Sequence, residues 1–223
     1  MYFASTIMAI KCTTCGLKNP SRTYVCRGCT ATLRTLRKGA ERDNSKLAVR
    51  SMVLVIVSVA VIAGFYLSLL VSAERLPYAE RGKIAAATDL LESKGFTREV
   101  FMLRHLTAYR GSDNWLNASV AKENAYAATN FPFEIMTVYP DFFTYPLDDT
   151  ERAAILLHES KHLAGKDEHD AYEFVWKNRY KLGWTEDAYA YSPVWQNVRS
   201  QTVEAVPEMF NCPDRPRGDC TTR

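Results

Sequence analysis

The stretch LLHESKHLAGKDE, residues 156–168, places two of the chain's four histidines four positions apart. On an α-helix, residues four apart lie on the same face, so His158 and His162 can hold one metal ion between them. Glu159 lies about 100° farther round the helix, where its carboxylate can reach a water at the metal without being a ligand. The spacing therefore predicts a helix that carries a metal site. The alternative is a core helix with two solvated or hydrogen-bonded histidines, but without a metal that buried face would leave polar groups unpaired.

The flanking residues indicate where this helix begins and ends. Asp148 and Glu151 form a capping-box pattern after Pro146, and the apolar run 153–157 follows them. Gly165 offers a C-terminal stop, because glycine readily adopts the left-handed conformation that ends many helices. A buried helix is therefore expected between Asp148 and Gly165.

The motif H-E-x-x-H resembles that of the zincin metallopeptidases, and its continuation is similar to the metzincin sequence H-E-x-x-H-x-x-G-x-x-H/D. Glu168 occupies the position where that family has its third ligand, and a carboxylate is an acceptable zinc ligand. The resemblance implies a catalytic zinc held by His158, His162 and Glu168, with Glu159 as the general base that activates water. The other candidates for the third ligand are His169, Asp170, Glu173 and, at the longer spacing of the gluzincins, Glu186.

The six cysteines fall into two groups, four before residue 30 and two after residue 210. Cys12 and Cys15, and then Cys26 and Cys29, form two C-x-x-C pairs separated by ten residues. Each pair forms a tight turn that directs two thiolates at one point, and two such turns complete a tetrahedral Cys₄ site. Residues 1–32 therefore resemble a zinc ribbon that is folded by a structural zinc. Two disulfides or a redox C-x-x-C are the alternatives.

The role of the ribbon is open at the level of sequence. Basic residues crowd into the first fifty positions, although the net charge is only +3. They would suit phosphate contacts or anionic lipid headgroups beside a membrane. We favour a cytoplasmic structural or interaction module with a protein partner over a nucleic acid partner. The basic residues in question are Arg22, Arg27, Arg34, Arg37 and Lys38.

Residues 51–73 form a run of 23 residues without a charge, which is long enough for a transmembrane helix. The preceding linker, residues 33–50, is basic, so the positive-inside rule places the N-terminus in the cytoplasm and residues 74–223 outside. A buried helix or a cleaved signal peptide would be the alternatives. This topology also predicts a disulfide between Cys212 and Cys220 in the oxidising compartment.

Residues 74–223 are expected to form a mostly helical, α+β zincin-like domain. Helical spacing predicts helices over Tyr78–Ser93, Thr97–Tyr109 and Asp170–Lys181. A strand is expected over Phe131–Pro140, either as an ordinary core strand or as the edge strand that binds substrate backbone in zincins. For an oxyanion donor the candidates are Tyr172, Tyr189 and Tyr191.

These features together predict a membrane-anchored zinc-dependent metallopeptidase, a single-pass metalloendopeptidase that hydrolyses peptide bonds in a peptide or protein substrate. The alternative from another class is a non-catalytic, membrane-tethered zinc-binding protein that acts in interaction or sensing. A second alternative keeps the enzyme but changes the bond, for instance to a cell-wall amide.

Overall fold

The computed structural model describes residues 9–20, 23–33, 44–118, 125–212, 215–216 and 218–221. The chain is α+β and about 58% helical, which confirms the predicted mostly helical class. It divides into two compact units, Met1–Val59 and Ala60–Arg223. Most of the predicted basic linker and one arginine of the ribbon lie outside the described residues, namely Arg22, Arg34, Arg37, Lys38 and Arg42.

The first unit begins with a small ribbon. Strand β1 (Ala9–Lys11) pairs antiparallel with strand β2 (Lys18–Pro20). Cys12, Cys26 and Leu33 form its small buried cluster. Because so little apolar surface is buried here, a hydrophobic core alone is too small to hold this fold, and a metal would supply the missing free energy.

Helix α1 runs over Asn44–Ser72, so it begins seven residues before the predicted span. Among the described residues it is the helix that is long and apolar enough to cross a membrane. The added first turns carry Lys46 and Arg50. These charges lie at one end of the helix, which leaves the apolar run after Arg50 uninterrupted.

The second unit is built around helix α5 (Asp149–Leu163), which packs between helices α2 and α6. Leu156 and Leu157 on this helix are fully buried, as the apolar run predicted. The same core contains three tryptophan rings that contact one another, those of Trp176, Trp184 and Trp195. The remaining helices are α2 (Tyr78–Ser93), α3 (Thr97–Phe101, continued by a π-helical turn over Met102–Leu106), α4 (Pro140–Thr144), α6 (Glu168–Leu182), α7 (Glu186–Tyr189), α8 (Pro193–Ala205) and a 3₁₀ turn (Pro207–Phe210).

A three-stranded sheet lies beside α5. Strand β3 (Ala108–Arg110) runs parallel to the central strand β5 (Ile135–Val138), and strand β4 (Ala127–Asn130) pairs antiparallel with its other side. The helix predicted over Thr97–Tyr109 therefore stops at Leu106, because the chain turns into β3. The predicted strand is also shorter, since residues 131–134 form a turn.

The C-terminal segment is fastened to α6. Cys212 and Cys220 form a disulfide, and strand β6 (Asn211–Cys212) pairs with strand β7 (Arg215–Pro216). Arg179 on α6 is buried and forms an ion pair of 2.6 Å with Asp219. Since a buried arginine without its partner would be costly, this pair fixes the end of the chain against the core.

Candidate metal centre

The start of α5 is capped as the sequence predicted. The carboxylate of Asp148 accepts hydrogen bonds from the backbone N–H groups of Thr150 and Glu151. Oε2 of Glu151 reaches back to the backbone N–H of Leu147 at 2.8 Å. Glu151 is fully buried, and its hydrogen bond joins the first turn of α5 to the loop that precedes it.

The end of α5 turns the chain back toward those histidines. Gly165 has a φ of +71°, the left-handed conformation that favours glycine, and its N–H donates to the carbonyl of His162 at 2.9 Å. A Cβ atom at Gly165 would lie 3.3 Å from the ring of Phe131, so a larger residue here would be disfavoured by this close contact as well as by the positive φ. Asp167 then caps α6 by accepting from the N–H of Asp170. This turn places Glu168 at the first position of α6.

The side chains of His158, His162 and Glu168 converge on one point. The two Nε2 atoms are 3.0 Å apart, and the oxygens of Glu168 lie 3.2 Å and 3.4 Å from them. Ligand atoms of a tetrahedral zinc site are about 3.3 Å apart when each lies about 2.0–2.1 Å from the metal. The nitrogen and oxygen donors and their spacing therefore fit a zinc ion.

Electrostatics favour a cation at this point. Hydrogen bonds from His158 and His162 hold the pKa of Glu168 well below its usual range. Burial by itself lowers the pKa of His162, but the hydrogen bond to Glu168 and the negative charge of Glu159 outweigh burial and raise this pKa to about 9. The carboxylates thus create a field that attracts positive charge, which either protons or a metal can supply.

Glu159 lies beside the three candidate ligands and is 5% exposed. Its Oε2 accepts a hydrogen bond of 2.8 Å from Oγ1 of Thr129 on β4. It lines the same cleft as His162 and Glu168 but does not belong to the converging group. In position, therefore, Glu159 lies beside the candidate ligands rather than among them.

Tyr172 on α6 packs against the ring of His158. Its ring centroid lies 4.3 Å from that of His158, and its hydroxyl donates to Oε1 of Gln201 at 2.5 Å. Burial raises the pKa of Tyr172, so the hydroxyl keeps its proton. The two other tyrosines considered from sequence lie elsewhere, since the hydroxyl of Tyr189 donates to Asp148 and Tyr191 is 96% exposed.

The other candidates for the third ligand point to different partners. His169 pairs with Glu208 at 2.8 Å, and Asp170 pairs with Lys166 at 2.9 Å. Both are therefore engaged away from the converging group. Glu173 pairs with Lys177, and Glu186 lines a separate cavity beside α8.

The four N-terminal cysteines also converge. Sγ of Cys12 lies 3.6 Å from Sγ of Cys29, and Sγ of Cys15 lies 3.5 Å from Sγ of Cys26. These distances are far from a disulfide bond and close to the roughly 3.8 Å between thiolates on one tetrahedral zinc. The backbone N–H groups of Gly28 and Cys29 lower the pKa of Cys26 to about 6. Such a thiolate is ready to bind a metal.

A cleft of about 630 Å³ opens over Glu159, His162 and Glu168. Ala127, Ala128 and Thr129 of β4 line its wall, and sequence reasoning did not find them. No strand was predicted there, because Ala127, Ala128 and Asn130 are residues that strands disfavour, and Thr129 is the one β-branched residue of the segment. The edge position next to α5 belongs to β4, whereas the predicted strand is the central β5.

Comparison of the chain with protein-family models, with curated proteins and with solved structures finds no match. The geometry of the two clusters is therefore the basis for any functional conclusion.

Proposed function

We propose that this protein is a membrane-anchored, zinc-dependent peptidase whose site is formed by His158, His162, Glu168 and Glu159. The observation that carries the proposal is that the side chains of two histidines and Glu168 converge on one point. The buried carboxylate of Glu159 lies beside this group without belonging to it. A structural site would have a fourth protein ligand. Among the described residues no fourth residue of a ligating type joins this group, and His169 and Asp170 are paired elsewhere.

His158, His162 and Glu168 would hold the zinc. When bound, zinc would supply Lewis-acid chemistry, activating water and polarising the carbonyl of the scissile bond. The low pKa of Glu168 keeps this ligand ionised at neutral pH, and the turn at Gly165 keeps it in place. His162 would lose its proton when zinc binds, and the site would then offer two neutral imidazole donors and one carboxylate, a set that is common at catalytic zinc sites.

Glu159 would move the protons of the reaction. Its carboxylate takes a proton from the attacking water and then delivers it to the amine nitrogen that leaves when the peptide bond breaks. Thr129 holds Oε2 of this carboxylate, which fixes its plane and leaves Oε1 for the water. Tyr172, whose hydroxyl keeps its proton, would turn from Gln201 to donate to the carbonyl oxygen as negative charge develops on it.

Strand β4 would bind the substrate backbone. It is the edge strand next to α5 in the sheet of described residues, and an extended peptide can add to such an edge through main-chain hydrogen bonds. The small side chains of Ala127 and Ala128 line the cleft and leave room for that peptide.

The anchor and the ribbon complete the proposal. Helix α1 would cross the membrane once with Lys46 and Arg50 on the cytoplasmic side, in accord with the positive-inside rule. Residues 74–223, with their disulfide, would then lie outside, and the ribbon would be a zinc-stabilised cytoplasmic module for a protein partner.

The test is hydrolysis of a mixed peptide library by the full chain in detergent micelles, compared with Glu159→Gln. We expect the variant to retain zinc and to lose activity by about a hundredfold or more, because the general base is removed while the ligands remain. Glu186→Gln is the matched control, since it alters an exposed glutamate outside the cleft.

Equal activity of Glu159→Gln and the unaltered chain would remove Glu159 from its role. A chain that binds zinc but cleaves no peptide in the library would instead support the alternative of a non-catalytic binding or sensing protein.

A further inference from the structure

The last turns of α1 pack against the globular part of the second unit through one helical face. Phe65 and Leu69 lie four residues apart on this helix, and Leu69 is buried, as is Ala73 just after the helix ends. Polar contacts support the packing, since Nε of Arg110 donates to the carbonyl of Leu70 at 3.2 Å. The end of the apolar helix is therefore fixed to the unit that carries the candidate metal centre.

Two aromatic residues of the globular part flank this helix well before its end. The ring of Phe133 lies 5.3 Å from that of Phe65, and the ring of Trp115 lies 5.6 Å from it. Nε1 of Trp115 donates to Oγ of Ser68 at 3.2 Å. Even with this contact, Trp115 is 52% exposed.

The position of Phe65 within the apolar run sets the depth of these rings. About 20 helical residues cross the hydrocarbon layer, so a crossing that starts after Arg50 runs from Ser51 to Leu70. Phe65 then lies five residues, or about 8 Å, inside the boundary at 1.5 Å per residue. Moving Phe65 out to the boundary would draw Arg50 into the hydrocarbon, which is unfavourable.

We propose that Trp115 and Phe133 insert into the outer leaflet of the bilayer that α1 crosses, so that the second unit holds the membrane by a second contact. The inference rests on the proposed membrane span. The chemistry of the contact is suitable, because the indole N–H of Trp115 is hydrogen-bonded to Ser68 and the rings therefore enter the apolar layer without an unpaired polar group. The exposed Leu116 beside Trp115 extends the same apolar surface.

The proposed bilayer contact lies close to the opening of the cleft over Glu159, His162 and Glu168. Phe131, two residues before Phe133, is 60% exposed and approaches Gly165 at the end of α5. It lines the cleft together with Glu159 and His162, and two residues of chain span at most about 7 Å. The cleft therefore opens at the membrane surface, and its substrates are polypeptide segments held at that surface by a membrane anchor of their own.

Fluorescence quenching of the full chain in phosphatidylcholine vesicles tests the bilayer contact. Trp176, Trp184 and Trp195 are buried in the core, whereas Trp115 is exposed. We expect lipids with brominated acyl chains to quench part of the tryptophan emission, and we expect Trp115→Phe to abolish that part. Quenching that is equal in both proteins, or absent from both, would overturn the proposal.

Iodide in the aqueous phase distinguishes the other environments of Trp115. Protection from iodide together with lipid quenching supports insertion. Quenching by iodide would place Trp115 in water, and protection from both agents would place it against protein, such as a second copy of this chain. Either of these outcomes overturns the bilayer contact.

The substrate class is tested with a peptide that the full chain cleaves in the library screen, offered with and without a palmitoyl chain. In vesicles we expect kcat/KM to be at least about tenfold higher for the anchored form, because both partners share one surface. Equal values would overturn the substrate inference. Hydrolysis of no peptide would instead refute the peptidase function, and the fluorescence result would still decide the bilayer contact.

Discussion

Thr129 on the edge strand β4 donates a hydrogen bond of 2.8 Å from its Oγ1 to Oε2 of Glu159 on helix α5. This bond joins the sheet to the helix at the carboxylate that we propose as the general base. It determines which oxygen of Glu159 remains for a water. The orientation of the base therefore depends on a residue thirty positions away in sequence.

Replacement of Thr129 by valine tests this bond with little change in shape. We expect kcat for peptide hydrolysis to fall about 10- to 100-fold, as is usual when a partner that orients a site residue is removed. Zinc content should not change, because Glu159 is not among the proposed ligands. Thr129→Ser keeps the hydroxyl and should retain most activity; a similar loss in both variants would indicate a packing effect.

Zinc content should report the two clusters separately. We expect mass spectrometry of the full chain to find two zinc ions, one for each group of ligands. His158→Ala should lose one ion, and Cys15→Ser should lose the other. His105→Ala is the matched control, because His105 is exposed and lies in neither group. Retention of both ions in His158→Ala would contradict the proposed site.

Tyr172→Phe separates packing from hydrogen bonding, because phenylalanine can still stack on His158. If the Tyr172 hydroxyl stabilises the developing oxyanion, kcat should fall about a hundredfold while KM changes little. Steady-state kinetics on one peptide, with zinc content measured in parallel, check this expectation. An unchanged kcat would limit Tyr172 to supporting the ring of His158.

Acid should abolish the contribution that the ion pair between Glu99 and Lys161 makes to the free energy of unfolding. Lys161 Nζ lies 2.6 Å from Oε1 of Glu99. Burial alone would raise the pKa of Glu99, but the hydrogen bond from Lys161 outweighs it and lowers this pKa. A lowered pKa in the folded state means that the stabilisation is complete above the unfolded value, about 4.3, and is lost as the pH falls through the folded value.

Denaturation of the full chain in detergent micelles should show this dependence. At neutral pH we expect Glu99→Gln to be less stable by about 1 to 2 kcal/mol. The difference should begin to shrink as the pH falls below the unfolded value of about 4.3, and it should be lost once Glu99 also takes up a proton in the folded state. Glu186→Gln serves as the control, and a difference that stays constant down to low pH would show that ionisation of Glu99 contributes nothing.

Elements with a strong local pattern were predictable. The helix around His158 has its cap at Asp148 and its left-handed stop at Gly165, and the structure contains both. The helix after Thr97 was predicted too long, because its apolar residues keep helical spacing up to the point where pairing with β5 imposes a strand. β4 was missed, since strands with weak propensity form only when a neighbouring strand is present.

The sequence by itself determined which atoms are available and how they are spaced along the chain. Four-residue spacing on a helix brings His158 and His162 to one face, two C-x-x-C turns present four thiolates, and an uncharged run supplies a helix able to cross a membrane. These properties follow from backbone geometry over a few residues, so they can be read without knowledge of the fold.

Only the tertiary structure decided which of several carboxylates joins the histidines, which strand lines the cleft, and which aromatic rings flank the apolar helix. Glu168 reaches the histidines because the turn at Gly165 folds α6 back against α5. Thr129 reaches Glu159, and Phe133 reaches Phe65, across long separations in sequence. Such contacts depend on how whole elements pack together, and packing is set by the combined burial of many side chains rather than by any local pattern.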